Sequence, residues 1–275
     1  MFTLNCKGQL FTITEPIVMG IINTTPDSFY EGSRIQDKDA ILFKAEQMIN
    51  DGASILDIGG QSTRPNAEKI SKEEELKRVL PAIEAIHQKF PEQIISVDTF
   101  YAAVAKEAVA AGASIVNDVS AGTIDETLLS MVAQLDVPYV LMHSKGTPQT
   151  MQQNPQYNNV TLEVFDALSF KMKELIDLGI KDILIDPGFG FGKTIEHNFQ
   201  LLRELSFFRQ LEKPLLVGLS RKATVYKTLQ TTPDKALNGT TVLHTIALLN
   251  SANILRVHDV KEAKEAIQIL RQSLT

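Results

Sequence analysis

The stretch Asp182–Lys193, DILIDPGFGFGK, carries a carboxylate at the end of a short apolar run and a glycine-rich loop directly after it. An apolar run such as Ile183–Ile185, bounded by a turn, is typical of a strand buried in a sheet. The dipeptide Pro187-Gly188 ends that strand, because proline cannot donate to a sheet and glycine permits a tight turn. The stretch therefore predicts that Asp186 leaves a packed interior beneath a flexible loop with two phenylalanines.

The same order of a short apolar strand, a polar residue and an amphipathic helix recurs along the chain. Strands and helices that alternate in this way predict a parallel sheet with crossover helices. Eight such units in 275 residues favour a closed (β/α)8 TIM barrel, and the alternating residues 2–14 favour a short N-terminal β-hairpin. The predicted strands are Ile17–Ile22, Ser54–Ile58, Ile94–Val97, Ser114–Val116, Pro138–Met142, Ile183–Ile185, Leu215–Val217 and Ile254-Leu255. The predicted helices are Asp39–Asn50, Ser71–Lys89 (with a capping box of Ser71 and Glu74), Ala102–Ala111, Asp125–Leu135, Thr161–Leu178, Glu196–Leu205, Pro233–Asn250 and Lys261–Gln272.

Composition limits the classes of protein to which this chain can belong. Its residues are 44% hydrophobic and 22% charged, with no linker, which predicts a single α/β domain over residues 1–275. A net charge of −6 disfavours a nucleic-acid-binding surface, and a single cysteine, Cys6, excludes an internal disulfide. The N-terminus lacks a signal-peptide pattern, and no apolar run approaches the roughly 20 residues of a membrane helix. We therefore expect a soluble cytoplasmic protein that does not bind membranes.

Polar side chains follow nearly every predicted strand at its carboxyl end. In a (β/α)8 barrel these ends meet at one rim, where active sites lie. Any one such residue alone is more readily a capping or turn residue, but the whole set at one rim favours a functional site. The set is Asn23, Asp57, Asp98, Asn117, His143, Asp186, Ser220-Arg221-Lys222, and Arg256 with His258.

The charges of this set indicate the chemistry of a ligand. Buried acceptors such as Asp98, Asn117 and Asp186 suit a ligand rich in N–H donors, for example an aminopyrimidinone, because a buried carboxylate needs such partners. Cations follow the seventh and eighth strands, where such barrels commonly hold phosphate. With one more from the second loop, the cations are Arg64, Lys222, Arg256 and His258. The sequence thus predicts an anionic, phosphorylated substrate.

Three other patterns do not meet the requirements of the sites that they suggest. The segment PGFGFGKT lacks the first glycine of a nucleotide-binding P-loop and the spacing of a dinucleotide fingerprint. His87, His197 and His244 are scattered on predicted helices and do not form a zinc set. His143 stays open between a catalytic and a packing role. A magnesium site also stays open, because Mg²⁺ needs only one or two protein oxygens beside phosphate and water.

Eight motifs occur together and in order between Ile17 and Val260. They are NxTPDSF (Asn23–Phe29), STRP (Ser62–Pro65), VDT (Val97–Thr99), ND (Asn117-Asp118), HxxGTPxTMQ (His143–Gln152), DPGFGFGK (Asp186–Lys193), GxSRK (Gly218–Lys222) and RVHDV (Arg256–Val260). One alone would be weak, but the ordered set is specific. In these motifs the chain resembles the dihydropteroate synthase family, whose (β/α)8 barrel agrees with the count of strand–helix units.

The resemblance implies a transferase of folate biosynthesis that condenses (7,8-dihydropterin-6-yl)methyl diphosphate with 4-aminobenzoate, giving 7,8-dihydropteroate and diphosphate. It also implies a Mg²⁺ cofactor, a homodimer and a target of sulfonamides. The pterin ring would be held by Asp98, Asn117, Asp186 and Lys222, and Mg²⁺ by Asn23. The phosphates or the neighbouring loop would contact Thr63, Arg64, Arg256 and His258. Contacts near 4-aminobenzoate would come from Thr63, Pro65, Phe191, Ser220 and Lys222, with Gly218 in the same substrate-binding set. The implied catalytic residues are Asn23, Arg64, Lys222, Arg256 and His258.

This reaction explains the residue types, because loss of diphosphate leaves a cation that the pterin ring delocalises. Such an SN1-like path needs a stabilised leaving group and exclusion of water. The loops Asn23–Arg34 and Gln61–Asn66 are the candidates for closing over the site. Gln61, Asn66 and Ser144 depart from the family's usual residues, which bears on loop motion rather than on the pterin-holding set.

Two alternatives remain at this level. A pterin-dependent methyltransferase shares the barrel and the acidic residues but would not be expected to carry STRP or SRK. A non-catalytic pterin-binding paralogue would keep Asp98, Asn117 and Asp186 and lose loop residues.

Overall fold

The computed structural model of the chain describes residues 1–24, 34–61, 69–146 and 155–274. Within these ranges the strands are β1 (Phe2–Cys6), β2 (Gln9–Ile13), β3 (Ile17–Asn23), β4 (Ile55–Gly59), β5 (Ile94–Asp98), β6 (Ile115–Asp118), β7 (Tyr139–Met142), β8 (Ile183–Asp186), β9 (Leu216–Val217) and β10 (Ile254–Val257). The α-helices are α1 (Arg34–Asn50), α2 (Lys72–Lys89), α3 (Ala102–Ala111), α4 (Leu128–Leu135), α5 (Val160–Asp177), α6 (Ile195–Arg203), α7 (Ala223–Thr228), α8 (Leu237–Leu249) and α9 (Val260–Leu274). Two 3₁₀ helices span Leu205–Leu211 and Pro233–Lys235.

The strands β3–β10 form one parallel sheet in the order β8-β7-β6-β5-β4-β3-β10-β9. A parallel bridge between Ile185 and Leu215 joins the two ends of that order, so the sheet closes into a barrel with helices around it. The strands β1 and β2 pair antiparallel as a hairpin. The predicted (β/α)8 barrel with a short N-terminal β-hairpin is therefore confirmed.

An apolar layer, called the floor here, fills the amino-terminal part of the barrel interior. Leu4, Cys6 and Ile13 of the hairpin are each 2% exposed and pack against this layer. The hairpin thus closes the amino end of the barrel, which leaves the carboxyl ends of the strands for a site. The floor consists of Ile17, Met19, Ile55, Ile94, Ile115, Val140, Leu184, Leu216 and Ile254.

The opposite faces of the same strands pack on the helices. Because side chains alternate along a strand, Val18, Leu56 and Ile95 belong to the layer between sheet and helices rather than to the floor. A Cβ atom at Gly20 would lie 3.0 Å from the Met48 sulfur, so the glycine permits α1 to approach β3 closely. Both faces of the strands are therefore buried, as expected for a parallel sheet.

Several predicted helix boundaries are wrong, and each has a local cause. The helix α1 begins at Arg34, five residues before the predicted start, where the sequence shows no apolar period. The helix α4 begins at Leu128 rather than Asp125, because the Asp125 carboxylate accepts hydrogen bonds from the Thr127 and Ala102 amides. The segment predicted as one helix, Pro233–Asn250, is divided into a 3₁₀ turn and α8.

The predicted capping box at the start of α2 is confirmed in one half. The Ser71 hydroxyl accepts a hydrogen bond from the Glu74 amide at 3.3 Å. The Glu74 carboxylate accepts a hydrogen bond from Arg78 Nε at 2.9 Å, one turn further along the helix.

Candidate active site

The two-residue period of the strands places polar side chains directly above the floor. Counting two residues on from Ile115, Leu184 and Ile254 of the floor leads to Asn117, Asp186 and Arg256. Residues of equal parity share one face of a strand, so the chain itself directs these side chains into the barrel. The same count places Asn23, Asp57 and Asp98 on the inner face, and Gly218, Ser220 and His258 follow the ends of β9 and β10.

Strand register brings four of these positions to one level at the rim. In the ladders β3–β4, β4–β5 and β5–β6, Asn23 pairs with Gly59, Gly59 with Asp98, and Asp98 with Asn117. A Cβ atom at Gly59 would lie 3.4 Å from Asp98 Cβ, so this glycine leaves room above the acid. Asn23 and Asp98 thus lie on either side of a gap in the rim.

A charged network occupies the inner face beneath this level. Arg256 Nε donates to Asp57 Oδ2 at 2.6 Å, and Arg256 Nη2 donates to Asp98 Oδ2. Asn117 Nδ2 donates to the same Asp57 oxygen at 3.0 Å. Asp57 is fully buried, and no group in the described parts of the chain bonds its Oδ1. Arg256 therefore lies among the acids and joins two strands that are separated from its own.

Burial raises the pKa of two inward-facing acids, Asp98 and Asp186. Burial raises the pKa of Asp98 to about 7, against the attraction of Arg256 and with the repulsion of Asp57. Burial also raises the pKa of Asp186, which the cations Lys222, Arg256 and Lys193 oppose together with the Gly188 amide. Gly188 N donates to Asp186 Oδ1 at 2.7 Å. A ligand with N–H donors would favour the charged form of both acids.

Lys222 faces Asp186 from the next loop. Its ammonium donates to the Phe189 carbonyl oxygen at 2.6 Å and lies 4.6 Å from the centre of the Phe191 ring. Burial lowers the pKa of Lys222 to about 8, although Asp186 opposes that shift. The cation, the aromatic ring and the acid therefore form one wall of the pocket.

The GxSRK segment divides its side chains between two environments. Ser220 Oγ accepts a hydrogen bond from the His258 amide at 3.2 Å, which joins the ends of β9 and β10 at the rim. Arg221 instead makes two hydrogen bonds with the Asp259 carboxylate, at 2.7 and 2.8 Å, and donates to the Pro233 and Asp234 carbonyls. Arg221 thus connects the loop after β9 to Asp259 and to the 3₁₀ turn before α8, outside the pocket.

The structure brings together most residues that the sequence predicts for the site. Asp98, Asn117 and Arg256 share one network, while Asp186, Lys222 and Phe191 form the adjoining wall, and Ser220 lies next to His258 at the rim. A Cβ atom at Gly218 would lie 3.6 Å from Lys222 Nζ. Thr63, Arg64 and Pro65, with Asn66 and most of both predicted closing loops, lie outside the described residues.

Sequence reasoning left two buried ionisable residues out of the site. Asp57 belongs to the set of strand-end residues but receives no role from the sequence, although its position two residues after Ile55 of the floor directs its side chain inward. Lys193 gave no signal, because it follows a glycine-rich loop rather than a strand. It is 2% exposed and bonds His143. Asp118, by contrast, faces outward and accepts hydrogen bonds from the Ser120 and Gly122 amides and the Tyr139 hydroxyl.

Comparison with known proteins identifies the family. A family model described as "Pterin binding enzyme" matches residues 19–258. The dihydropteroate synthase of Escherichia coli K12 is 42% identical over 274 residues, covering 99% of this chain and 96% of that protein. The chain belongs to the dihydropteroate synthase family. It is therefore a transferase, and the enzyme of Haemophilus influenzae is also similar, at 40% identity over 97% of each chain.

Solved dihydropteroate synthases have the same fold. The Xanthomonas albilineans enzyme with 4-aminobenzoic acid superposes with a TM-score of 0.92 at 39% identity, covering 99% of this chain and 98% of that one. The same enzyme with 7,8-dihydropteroate gives 0.89 at 38% identity, covering 99% of both chains. A Yersinia pestis dihydropteroate synthase with a sulfonamide drug gives 0.93 at 40% identity, again covering 99% of both. These matches agree with the barrel described above.

Proposed function

We propose that this chain condenses (7,8-dihydropterin-6-yl)methyl diphosphate with 4-aminobenzoate to give 7,8-dihydropteroate and diphosphate. The observation that carries the proposal is the buried network of Asp57, Asp98, Asn117 and Arg256 beside the pair of Asp186 and Lys222. It combines acceptors for a flat heterocycle with cations for a leaving diphosphate. The relatives solved with 4-aminobenzoic acid and with 7,8-dihydropteroate support the same substrates.

The pterin ring would take the place of water above the acids. Asp98, Asn117 and Asp186 are each 9% exposed or less, so a ring bound to them would be largely shielded from solvent. Paired N–H groups of an aminopyrimidinone match a carboxylate, and hydrogen bonds to a charged acceptor are among the strong ones. Bound between them, the ring would also gain stabilisation from the nearby carboxylates as positive charge develops on it.

The cations would stabilise the departing diphosphate. Lys222 follows β9 and Arg256 lies in β10. His258, two residues beyond Arg256, would contribute a neutral N–H donor, because burial and the charge of Arg256 lower its pKa to about 4. Positive groups held in place before the reaction lower the barrier without reorganisation. Arg64 is proposed for the same role from the loop after β4. In an SN1-like reaction this charge would assist bond breaking, while the aniline needs little activation.

Mg²⁺ is proposed as the cofactor, with Asn23 as its protein ligand. Asn23 is the last residue of β3 and is in register with Gly59 of β4, which is in turn in register with Asp98 of β5. Its amide oxygen is a hard ligand of the type that binds Mg²⁺. No group of three or more His, Cys, Asp or Glu in the described residues could hold a metal alone. The other ligands would be phosphate and water, and bound Mg²⁺ would neutralise charge on the leaving group.

The 4-aminobenzoate would bind beyond the pterin, near the mouth. Phe191, Ser220 and Lys222 are proposed contacts, with Gly218 beneath them and Thr63 and Pro65 from the loop after β4. An aromatic ring beside a lysine suits a small aromatic carboxylate. Because sulfonamides resemble this substrate, we also propose that they compete with it, as the Yersinia pestis complex supports.

A coupled diphosphate-release assay tests the function. The complete mixture contains the protein, the pterin diphosphate, 4-aminobenzoate and Mg²⁺, and each component is omitted in turn. We expect sustained turnover only with both substrates, with a loss of release when Mg²⁺ is chelated and recovery when it is restored. Multiple-turnover release without 4-aminobenzoate, or methyl transfer from a methylated pterin in place of the condensation, would contradict the proposal.

The substitution Asp186→Asn tests the placement of the pterin. Removing the charge from a buried hydrogen-bonded acceptor is expected to weaken the binding of 6-hydroxymethylpterin by about 2 kcal/mol or more. Isothermal calorimetry measures the affinity, with Asp166→Asn on the exposed face of α5 as the control. Equal affinities for wild type and Asp186→Asn would place the ring elsewhere.

A homodimer and a cytoplasmic location are proposed on family grounds. On α8, Val242 and Leu249 remain 51% and 59% exposed although Leu243 and Leu248 of the same helix are buried, which suits a contact between two copies. Sedimentation velocity would show a species of twice the chain mass. In the described residues, no helix is long and apolar enough to span a bilayer.

A further inference from the structure

One buried lysine lies at the junction of two rim loops and is not needed by the chemistry above. Lys193 Nζ lies 2.9 Å from His143 Nδ1, 2.9 Å from the Gly188 carbonyl oxygen and 3.0 Å from the Phe191 carbonyl oxygen. The His143 carbonyl oxygen lies at 3.3 Å. These acceptors come from the end of β7 and from the loop that follows β8. One ammonium therefore joins two neighbouring loops of the rim.

The surroundings show that these contacts are required. Lys193 is 2% exposed, and an ammonium withdrawn from water is costly unless acceptors surround it. Burial lowers its pKa to about 7, with Asp186 opposing the shift and Lys222 adding to it. Burial likewise lowers the pKa of His143 to about 3, so the imidazole is neutral and its Nδ1 accepts a hydrogen bond from the lysine.

The carbonyls that Lys193 binds belong to the loop that forms the wall of the pocket. Gly188 and Phe191 flank the Phe189 carbonyl, which is the acceptor of the Lys222 ammonium at 2.6 Å. The Phe191 ring lies 4.6 Å from the same ammonium. A shift of this loop would thus move the ring and the Lys222 amine together.

We propose that Lys193 is a positioning residue that holds Phe191 and Lys222 in the arrangement that binds 4-aminobenzoate. It donates to backbone oxygens of the loop and to His143, and it reaches Asp186 only through its charge and through Gly188, whose amide bonds that acid. Its contacts with the loop that carries Phe191 and the Phe189 carbonyl are direct, so the larger effect is expected on the second substrate. The proposal rests on the function proposed above.

The substitution Lys193→Met tests this assignment, because methionine fills the volume and removes the ammonium. We expect the affinity for 4-aminobenzoate to fall about tenfold or more, while that for 6-hydroxymethylpterin changes by less than about threefold. Calorimetry measures both affinities, and the titration with 4-aminobenzoate is done with 6-hydroxymethylpterin, diphosphate and Mg²⁺ present. The KM and kcat are also measured for each substrate. Lys193→Arg keeps the charge and the donors and is expected to recover part of the loss.

The control is Lys181→Met, on the residue two positions before β8 at the opposite end of the barrel. Lys181 is exposed and pairs with Asp136 at 2.9 Å, so its removal is expected to change neither affinity. Comparing Lys193→Met with Lys181→Met separates an effect specific to position 193 from the general effect of replacing a lysine with methionine.

A double-mutant cycle tests whether Lys193 acts through the loop. If it does, Lys193→Met should add little to the loss of 4-aminobenzoate affinity that Phe191→Leu already causes, since the two residues share one effect. Additive losses would contradict that route. Lys193→Gln, which keeps N–H donors without the charge, replaces Lys193→Met if the latter does not fold.

The outcomes separate this proposal from the proposed function. Normal diphosphate release by the wild type together with unchanged 4-aminobenzoate affinity in Lys193→Met would overturn the positioning role alone. Equal losses for both ligands, or failure of the Met and Gln variants to fold, would assign the lysine to stability and also overturn it. No release by the wild type would remove the function, and the calorimetric comparison would still report on Lys193.

Discussion

Around Arg256, individual residues set the charge of the pocket. Two carboxylates, Asp57 and Asp98, bond one guanidinium, and all three are buried or nearly so. Burial raises the pKa of Asp98 to about 7, and the single positive charge of Arg256, shared with Asp57, does not offset that shift. The protonation of this acid near neutral pH should therefore control how well the pocket accepts a ring with N–H donors.

The substitution Asp57→Asn is expected to shift the pH dependence of pterin binding. Wild-type affinity for 6-hydroxymethylpterin should rise with pH as Asp98 ionises near pH 7. The negative charge of Asp57 raises the Asp98 pKa, so its removal should move that rise to lower pH. Calorimetry between about pH 5 and pH 8 measures the midpoint, with Asp166→Asn as the control. A midpoint that stays in place or moves upward would contradict the charge balance described here.

Glu75 gives a second prediction for a single residue, away from the ligand. It lies in the first turn of α2 and is fully buried, and the Thr99 side chain beside it favours the charged carboxylate less than burial opposes it. Burial raises its pKa to about 7. The folded state thus holds the proton more tightly than the unfolded chain, and stability present at low pH should be lost as pH rises towards 7.

The substitution Glu75→Gln should remove that part of the pH dependence. Between about pH 4.5 and pH 8, the wild type is expected to lose on the order of 2–3 kcal/mol of unfolding free energy relative to the variant. Urea unfolding at several pH values gives this difference, and Glu84→Gln on the exposed face of the same helix serves as the control. Parallel curves for wild type and Glu75→Gln would show that Glu75 is ionised in the fold.

Among the elements, the loop between β8 and α6 depends on a close approach of two backbones. Gly188 has φ +73°, and a Cβ atom there would lie 1.8 Å from the His143 carbonyl oxygen. The same glycine donates its amide to Asp186 and accepts from Lys193 and the Phe191 amide. The glycine-rich sequence is therefore a condition for placing Phe191, and a side chain at this position would force the loop away from β7.

The pair Gly188→Ala and Gly179→Ala separates backbone strain from that close approach. Gly179 has φ +90° with nothing within 4 Å of a Cβ, so its substitution should cost about 1 kcal/mol from strain alone. Gly188→Ala should cost clearly more and should weaken the binding of 4-aminobenzoate. Thermal unfolding and calorimetry measure the two effects. Equal losses of stability in the two variants would mean that the loop moves away from His143 without an energetic penalty.

For the molecule as a whole, the amino end of the barrel is a packed plug and the carboxyl end is the site. The hairpin presents Leu4 and Ile13 to the floor, and the Asn5 amide donates to Asp182 at 2.7 Å, just before β8. The hairpin therefore supports the strands whose opposite ends carry the chemistry, without reaching the pocket.

The substitution Leu4→Ala should lower stability and leave ligand affinity unchanged. Truncating a leucine that is 2% exposed is expected to cost about 2–4 kcal/mol of unfolding free energy. Leu10→Ala in the same hairpin, where the side chain is 72% exposed, should cost little. Urea unfolding compares the variants, and unchanged affinity for 6-hydroxymethylpterin checks that the pocket is intact. A large loss of affinity in Leu4→Ala would show that the packing of the floor affects the geometry of the pocket.

Most of the fold was predictable because strand and helix periods differ so clearly in this chain. The helix α3 was predicted to the residue, and the strands to within two residues at each end where bounds were stated. The start of α1 was not predictable because residues 34–38 show no apolar period. The division of Pro233–Asn250 was not predictable because it involves a residue outside the segment. In the second case Arg221, outside the segment, binds the Pro233 and Asp234 carbonyls in the 3₁₀ turn before α8.

The sequence by itself determined which side chains point into the barrel. Alternation along each strand fixes that choice locally, so Asp98, Asn117 and Asp186 were recognisable from the residues alone. The tertiary structure decided which charges meet. Arg256 is in register with Met19 of β3, yet its guanidinium reaches Asp57 on β4 and Asp98 on β5. That pairing depends on the stagger of the closed sheet and on the reach of a long side chain, and neither property is encoded within a single segment.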